Sequence, residues 1–126
     1  MVKVLIVGVG GFLGAIARYG LSGWIQKRSQ ATFPYGTLTV NVIGCFVIGC
    51  LMYLVESRPA LSPYTRLFIG IGILGAFTTF SSFGYETLQL MRAGSYRLAL
   101  GNVGANFLLG LTAVWLGRVA TQAARL

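Results

Sequence analysis

Residues 36–55 read GTLTVNVIGCFVIGCLMYLV, twenty positions without a charged side chain. A bilayer core is crossed by about 20 predominantly apolar residues of helix, so this stretch reads as a membrane span. Its hydroxyl and amide side chains, Thr37, Thr39 and Asn41, gather in the first turns. Working outward, three more such stretches cover residues 4–25, 66–91 and 98–120. The separators carry turn and charge punctuation: Lys27-Arg28 to Pro34, Glu56 to Pro63, and Arg92 to Arg97. They are too short to hold a domain. The expectation is an all-α membrane protein, one four-span domain over residues 1–126.

Composition points the same way. The chain of 126 residues is 56% hydrophobic and 10% charged, against about 25% charged in soluble domains. A water-soluble globule and a disordered chain are both excluded. Net charge is +8, yet the ten basic residues stand singly or as one pair between apolar runs. That suits anionic lipid headgroups and gives no patch for nucleic acid. With no His in the chain, His metal sites and His acid–base catalysis are absent. Nor is there an acid pair or a Cys/His pair, so an enzyme is not expected. Lys3 and Ala15-Ile16-Ala17 imitate a signal peptide, but the apolar run continues past Arg18. Cys45 and Cys50 lie about 140° apart around one helix, a poor disulfide geometry, and read as packing residues.

Four spans put both termini on one side. That side carries Lys3, Arg58, Arg66, Arg118 and Arg125; the other carries Lys27, Arg28, Arg92 and Arg97, with Arg18 nearest to it. Short loops are where the positive-inside rule acts most strongly, and here it gives no orientation. Copies inserted both ways and paired antiparallel are therefore expected. Gly10 and Gly14 in G-x-x-x-G spacing, and Gly101 with Ala105, add a second argument for a homo-oligomer.

Polar groups inside spans are costly and need a partner or a role. Arg18 is the only cation well inside one; it either snorkels, pairs structurally or faces a vestibule. Glu86 is the only acid within a span, and pairs with an Arg, faces water or lines a pathway. The third span holds Gly75-Ala76-Phe77-Thr78-Thr79-Phe80-Ser81-Ser82-Phe83-Gly84. Its four hydroxyls, bracketed by glycine, allow two readings. Either the helix stays intact with hydroxyls bonded to i−4 carbonyls, or it breaks and exposes backbone groups as ion ligands. Phe80 and Phe83 share a face that Phe77 would extend, either as packing or with positive ring edges toward an anion. Asn41, Asn102 and Asn106 serve as interhelical glue or as donors on a path.

The elements Gly36-Thr37-Leu38-Thr39-Val40-Asn41 and Gly75-x-x-Thr78-Thr79-Phe80-Ser81-Ser82-Phe83 resemble the CrcB/Fluc family of fluoride channels. The opening Gly10-x-x-x-Gly14-x-x-x-Arg18 is similar to that family's first helix. The resemblance runs over essentially the whole chain. It implies an antiparallel, dual-topology homodimer in the bacterial inner or plasma membrane, with two fluoride pores and a third helix broken near the midplane. It also implies pore-lining roles for Phe80 and Phe83 and a place on the ion path for Asn41. Ser81, Ser82 and Asn106 would belong to the polar track. A structural sodium ion would sit at the dimer centre on the carbonyls of Gly75 and Thr78, four oxygens from two copies. Ala76 stands where a second Gly is common, Gly84 where Ser is common, and Asn106 at a position that is often Ser.

The implied mechanism is passive export. Neutral HF formed in acid crosses lipid, ionises in the neutral cytoplasm and leaves as fluoride down the membrane potential; no ATP-binding G-x-x-x-x-G-K motif is present. Two rivals remain. A small multidrug transporter needs a deep carboxylate, which that family carries in its first helix and this chain lacks there. A scaffold subunit would use the same hydroxyls and asparagines only to bind helices together.

Overall fold

The computed structural model describes residues 1–57 and 63–124. Arg58 and Arg125, counted above in the charge balance, lie outside the described residues. Four helical spans alternate in direction: α1 (Val2–Ser29), α2 (Tyr35–Ser57), a composite third span (Pro63–Arg92) and α6 (Tyr96–Ala123). The third span consists of a turn, α3 (Pro63–Thr65), a π-helix (Arg66–Leu74), a second short turn, α4 (Gly75–Phe77), and α5 (Phe80–Arg92). All four spans are long and apolar enough to cross a membrane, and the chain is a multi-pass membrane protein.

The connections are tight for local reasons. α1 ends at Gln30 in the left-handed region, φ 49°, with its N–H bonded to the Gln26 carbonyl. The Gln26 side chain then ties the loop to α2. Its Nε2 donates to the carbonyls of Ala31 (2.8 Å) and Phe33 (3.2 Å), and its Oε1 accepts from Gly36 N–H at 3.1 Å. Between α5 and α6 the chain turns at Gly94, φ 73°, where the absence of a Cβ makes the left-handed backbone inexpensive.

Glycines set the helix spacing. A Cβ on Gly14 would strike the carbonyl oxygen of Ile73, and one on Gly10 would meet Phe68 and Gly72. The G-x-x-x-G pair of α1 is therefore filled by the π-helix of its own chain, and does not serve as evidence for a second copy. Gly49 and Gly117 do the same for α2 and α6: their faces touch the carbonyls of Val114 and Phe46. α2 packs most extensively on α6, while the π-helix packs on α1. Both cysteines are free; Cys45 lies against Gly110, and Cys50 donates to the Gly117 carbonyl at 3.3 Å.

The third span changes neighbours midway. Its π-helix and α4 lie on α1, whereas α5 lies on α6. Between them Thr78 (φ −83°, ψ 155°) and Thr79 (φ −148°, ψ 112°) have extended backbone. Phe77 is buried on the α4 side of this interruption and Phe80 lies beyond it. The expected row of three phenylalanines is thus reduced to Phe80 and Phe83. Few side chains are fully enclosed within the single chain, Val40 and Asn102 being the largest, and long apolar residues such as Phe12, Leu100, Phe107 and Leu111 face outward. Lipid as solvent permits this, because exposed Leu and Phe carry no hydrophobic cost there.

Candidate functional site

The interruption opens onto a groove of about 670 Å³ between α2, the third span and α6. Asn41, Gly75, Thr78, Thr79, Phe80, Phe83 and Asn106 line it together with apolar side chains, and none of its lining residues is charged. The sequence-derived residues Phe80, Phe83, Asn41, Asn106, Gly75 and Thr78 are therefore brought together on one open face. Arg18, Glu86, Ser81 and Ser82 are not part of this lining.

Asn41 spans the interruption. Its Oδ1 accepts from the Thr79 backbone N–H at 2.8 Å, and its Nδ2 donates to the Thr79 carbonyl at 3.2 Å. One side chain thus satisfies both backbone groups of a residue that has left the helical ladder, groups that would otherwise be costly inside a membrane. The other Nδ2 hydrogen goes to Asn106 Oδ1 at 2.9 Å. Asn106 in turn donates to the Asn102 carbonyl and to Asn102 Oδ1, both at 3.0 Å.

The four hydroxyls take different parts. Thr78 Oγ1 bonds back to the Leu74 carbonyl, 2.9 Å away and four residues earlier. Thr79 caps α5: its Oγ1 accepts from Ser82 N–H at 3.1 Å and donates to Ser82 Oγ at 2.9 Å, with Ser81 Oγ at 3.3 Å. Ser82 keeps its own proton for a further acceptor. The two readings of this segment therefore coexist: one hydroxyl back-bonds as in an intact helix, and the next caps a new one.

Phe80 and Phe83 sit with ring centroids 5.4 Å apart at 51°. Phe80 is 83% exposed, so hardly any of its ring is used in packing this chain. Edge and face of such a tilted pair both remain available, and the positive edge is the side an anion prefers. Neutral amides, hydroxyls and ring edges in an uncharged groove can hold a small anion without trapping it as a full cation would.

The two intramembrane charges lie at the margins. Arg18 Nε donates to the Ala76 carbonyl at 2.9 Å, in the last turn before the interruption. Glu86 Oε1 accepts from Thr37 at 2.7 Å, and its buried Oε2 has no hydrogen-bond partner among the described residues. The two are not paired with one another. Asn102, read from the sequence with Asn106 as glue or donor, is fully buried, does not line the groove and is bonded to Thr87 Oγ1 at 2.9 Å.

Among the described residues no cluster of His, Cys, Asp or Glu could hold a metal, so a cation here would need backbone or hydroxyl oxygens. Gly75 and Thr78 both line the groove, a Cβ on Gly75 would meet nothing within 4 Å, and the ψ of 155° turns the Thr78 carbonyl out of the helical direction. Neutral carbonyls beside open space fit a hard monovalent cation.

Residues 5–118 match the family described as CrcB-like protein, Camphor Resistance (CrcB). The chain is 44% identical over 120 residues to "Fluoride-specific ion channel FluC 1" of Methanosarcina acetivorans, covering 95% of this chain and 91% of the relative. It is 48% identical to "Fluoride-specific ion channel FluC 3" of Methanosarcina barkeri (94% and 89% covered). It is 47% identical to "Fluoride-specific ion channel FluC" of Acidobacterium capsulatum (93% and 94% covered).

Proposed function

The chain belongs to the CrcB-like family, and from that premise we propose that it is a fluoride-selective ion channel that lets cytoplasmic fluoride leave by passive electrodiffusion. The observation that carries the reading is the uncharged groove in which Phe80, Phe83 and the Asn41 amide converge beside the interrupted third span. Relatives at this identity bear the fluoride channel name, and channels, unlike enzymes, need no reacting side chains.

Fluoride is a small, strong hydrogen-bond acceptor. On this reading it passes the ring edges of Phe80 and Phe83 and borrows donors from Asn41 and from the Ser81 and Ser82 hydroxyls. The interruption lies near the bilayer midplane, and the functional unit is an antiparallel, dual-topology homodimer. The open face of the groove, with polar Asn41, Thr78, Thr79 and Asn106 in its lining, supports a second copy there. Asn106 supports Asn41, and Arg18 and Glu86 flank the path as vestibule or structural groups.

A sodium ion would be held by the carbonyls of Gly75 and Thr78 from each copy, and would supply fixed positive charge and rigidity between the pores. Lipid surrounds the rest of the surface. A small multidrug transporter is disfavoured because the first span carries no carboxylate, while Glu56 lies at the end of the second and Glu86 toward the end of the third. Fluoride release from liposomes holding purified protein, with chloride as control, tests the proposal.

A further inference from the structure

The hydrogen bonds around Asn41 form one chain with a single direction. Thr79 N–H donates to Asn41 Oδ1 (2.8 Å). Asn41 Nδ2 donates to Asn106 Oδ1 (2.9 Å), and Asn106 Nδ2 to Asn102 Oδ1 (3.0 Å). Asn102 Nδ2 donates to Thr87 Oγ1 (2.9 Å), and the Thr87 hydroxyl donates to the Phe83 carbonyl (2.7 Å). The chain runs from the interruption, through α2 and α6, into α5.

An asparagine amide can face either way at little steric cost, so something must decide its direction. At one end the decision is absolute: a backbone N–H only donates. At the other, the Phe83 carbonyl draws the Thr87 proton, and the hydroxyl then presents only lone pairs to Asn102. With Asn102 so fixed, a flipped Asn106 would set its oxygen against Asn102 Oδ1 and its NH2 against that of Asn41, and a flipped Asn41 would set oxygen against Asn106 Oδ1. Head-to-tail bonds also polarise one another, which strengthens the chain beyond its pairs.

The consequence falls on the groove. Asn41 lines the groove, and its longest bond, 3.2 Å from Nδ2 to the Thr79 carbonyl, is the one an anion can displace. A flipped amide would offer an oxygen to the anion instead. Asn106 gives both Nδ2 hydrogens to Asn102 at 3.0 Å, shorter than the 3.2 Å bond of Asn41 to the Thr79 carbonyl, so Asn106 supports the donor.

We propose that Thr87 and Asn102 are positioning residues of the fluoride path, which act through Asn106 to reinforce the direction of the Asn41 amide that the Thr79 backbone sets. The inference rests on the fluoride-channel reading.

Fluoride flux through Thr87→Val, Thr87→Ser and Asn102→Leu, measured in liposomes at graded fluoride, tests it. Two of these leave a donor bare: Thr87→Val takes the acceptor of the buried Asn102 Nδ2, and Asn102→Leu takes one of the two acceptors of Asn106 Nδ2. Thr87→Ser retains the hydroxyl and stays at wild type. Thr87→Val and Asn102→Leu each raise half-saturating fluoride about tenfold, the effect of losing roughly one net hydrogen bond, and both lower the unfolding temperature in detergent because a donor is left bare; the shift in half-saturation is read on the folded protein. The double variant is no worse than the poorer single, because both break one chain.

Wild-type half-saturation in Thr87→Val, or strictly additive losses in the double variant, overturns the inference. If Asn102→Leu does not fold, Thr87→Val decides alone, since it preserves volume. A wild-type chain that releases no fluoride overturns the channel reading and this inference with it. Active wild type with unaltered variants overturns only the inference.

Discussion

Arg18 and Ala76, fifty-eight residues apart in sequence, are joined by a 2.9 Å hydrogen bond from the guanidinium Nε to the backbone carbonyl. The acceptor lies in the last turn before the third span loses its helix. Carbonyls in a terminal turn have no partner further along, and a cation at a helix C-terminus also meets the negative end of its dipole. The bond thus stabilises the interruption from the α1 side, as Asn41 does from the α2 side.

Arg18→Met removes this partner without removing bulk. A hydrogen bond to a charged donor is worth about 1.5–3 kcal/mol, so thermal unfolding of the purified protein should fall by several degrees and fluoride flux should drop with it. Arg18→Lys, which keeps charge and reach but not the fork, should fall in between. Unfolding followed by circular dichroism in detergent checks both.

Phe80 and Phe83 call for the opposite outcome. Phe80 is largely exposed in the chain, so Phe80→Ile should alter unfolding of the protein by less than about 1 kcal/mol. Flux of fluoride should nonetheless fall, because an aliphatic side chain has no positive edge. Phe83→Ile should do likewise. Wild-type flux in both would remove the rings from the pathway.

Asn41→Asp separates position from charge. The carboxylate still accepts from Thr79 N–H, but the two donated bonds disappear and a negative charge enters an uncharged groove. Fluoride flux should become undetectable in liposomes. Asn41→Ala should also lose stability, since both Thr79 backbone groups are left bare, at about 1–3 kcal/mol each.

Gly49→Ala and Gly117→Ala test the contact of α2 with α6. Each new Cβ would collide with a backbone carbonyl, of Val114 or of Phe46, and backbone cannot move aside as a flexible side chain can. A loss of about 1–3 kcal/mol is expected for each. Gly23→Ala, whose Cβ meets nothing within 4 Å in the chain, should be neutral or gain up to about 1 kcal/mol of helix propensity.

Much of the fold is legible in the sequence because apolarity over twenty residues has one physical outcome in lipid. Stretch 36–55 corresponds to Tyr35–Ser57, and stretch 98–120 to Tyr96–Ala123. The helices run beyond the apolar limits, as α1 does through Lys27 and Arg28, because the backbone ladder continues into polar surroundings that hydropathy does not mark. The π-helix was not legible in the apolar run, and neither was its close contact with Gly10 and Gly14 across helices. The same contact turned a motif that suggested a second copy into an internal one. At the site, the residue types pointed to Phe80, Phe83 and Asn41, whereas the partners of Arg18 and Asn102 depend on which helices become neighbours. No spacing along one strand of sequence carries that information.

The most direct test of the channel reading loads liposomes containing the purified protein with potassium fluoride, adds valinomycin and follows external fluoride with an ion-selective electrode. A parallel preparation is loaded with chloride. The account predicts rapid fluoride release and no chloride release. Absence of fluoride release from protein shown to be folded and dimeric, or equal release of both anions, would contradict it.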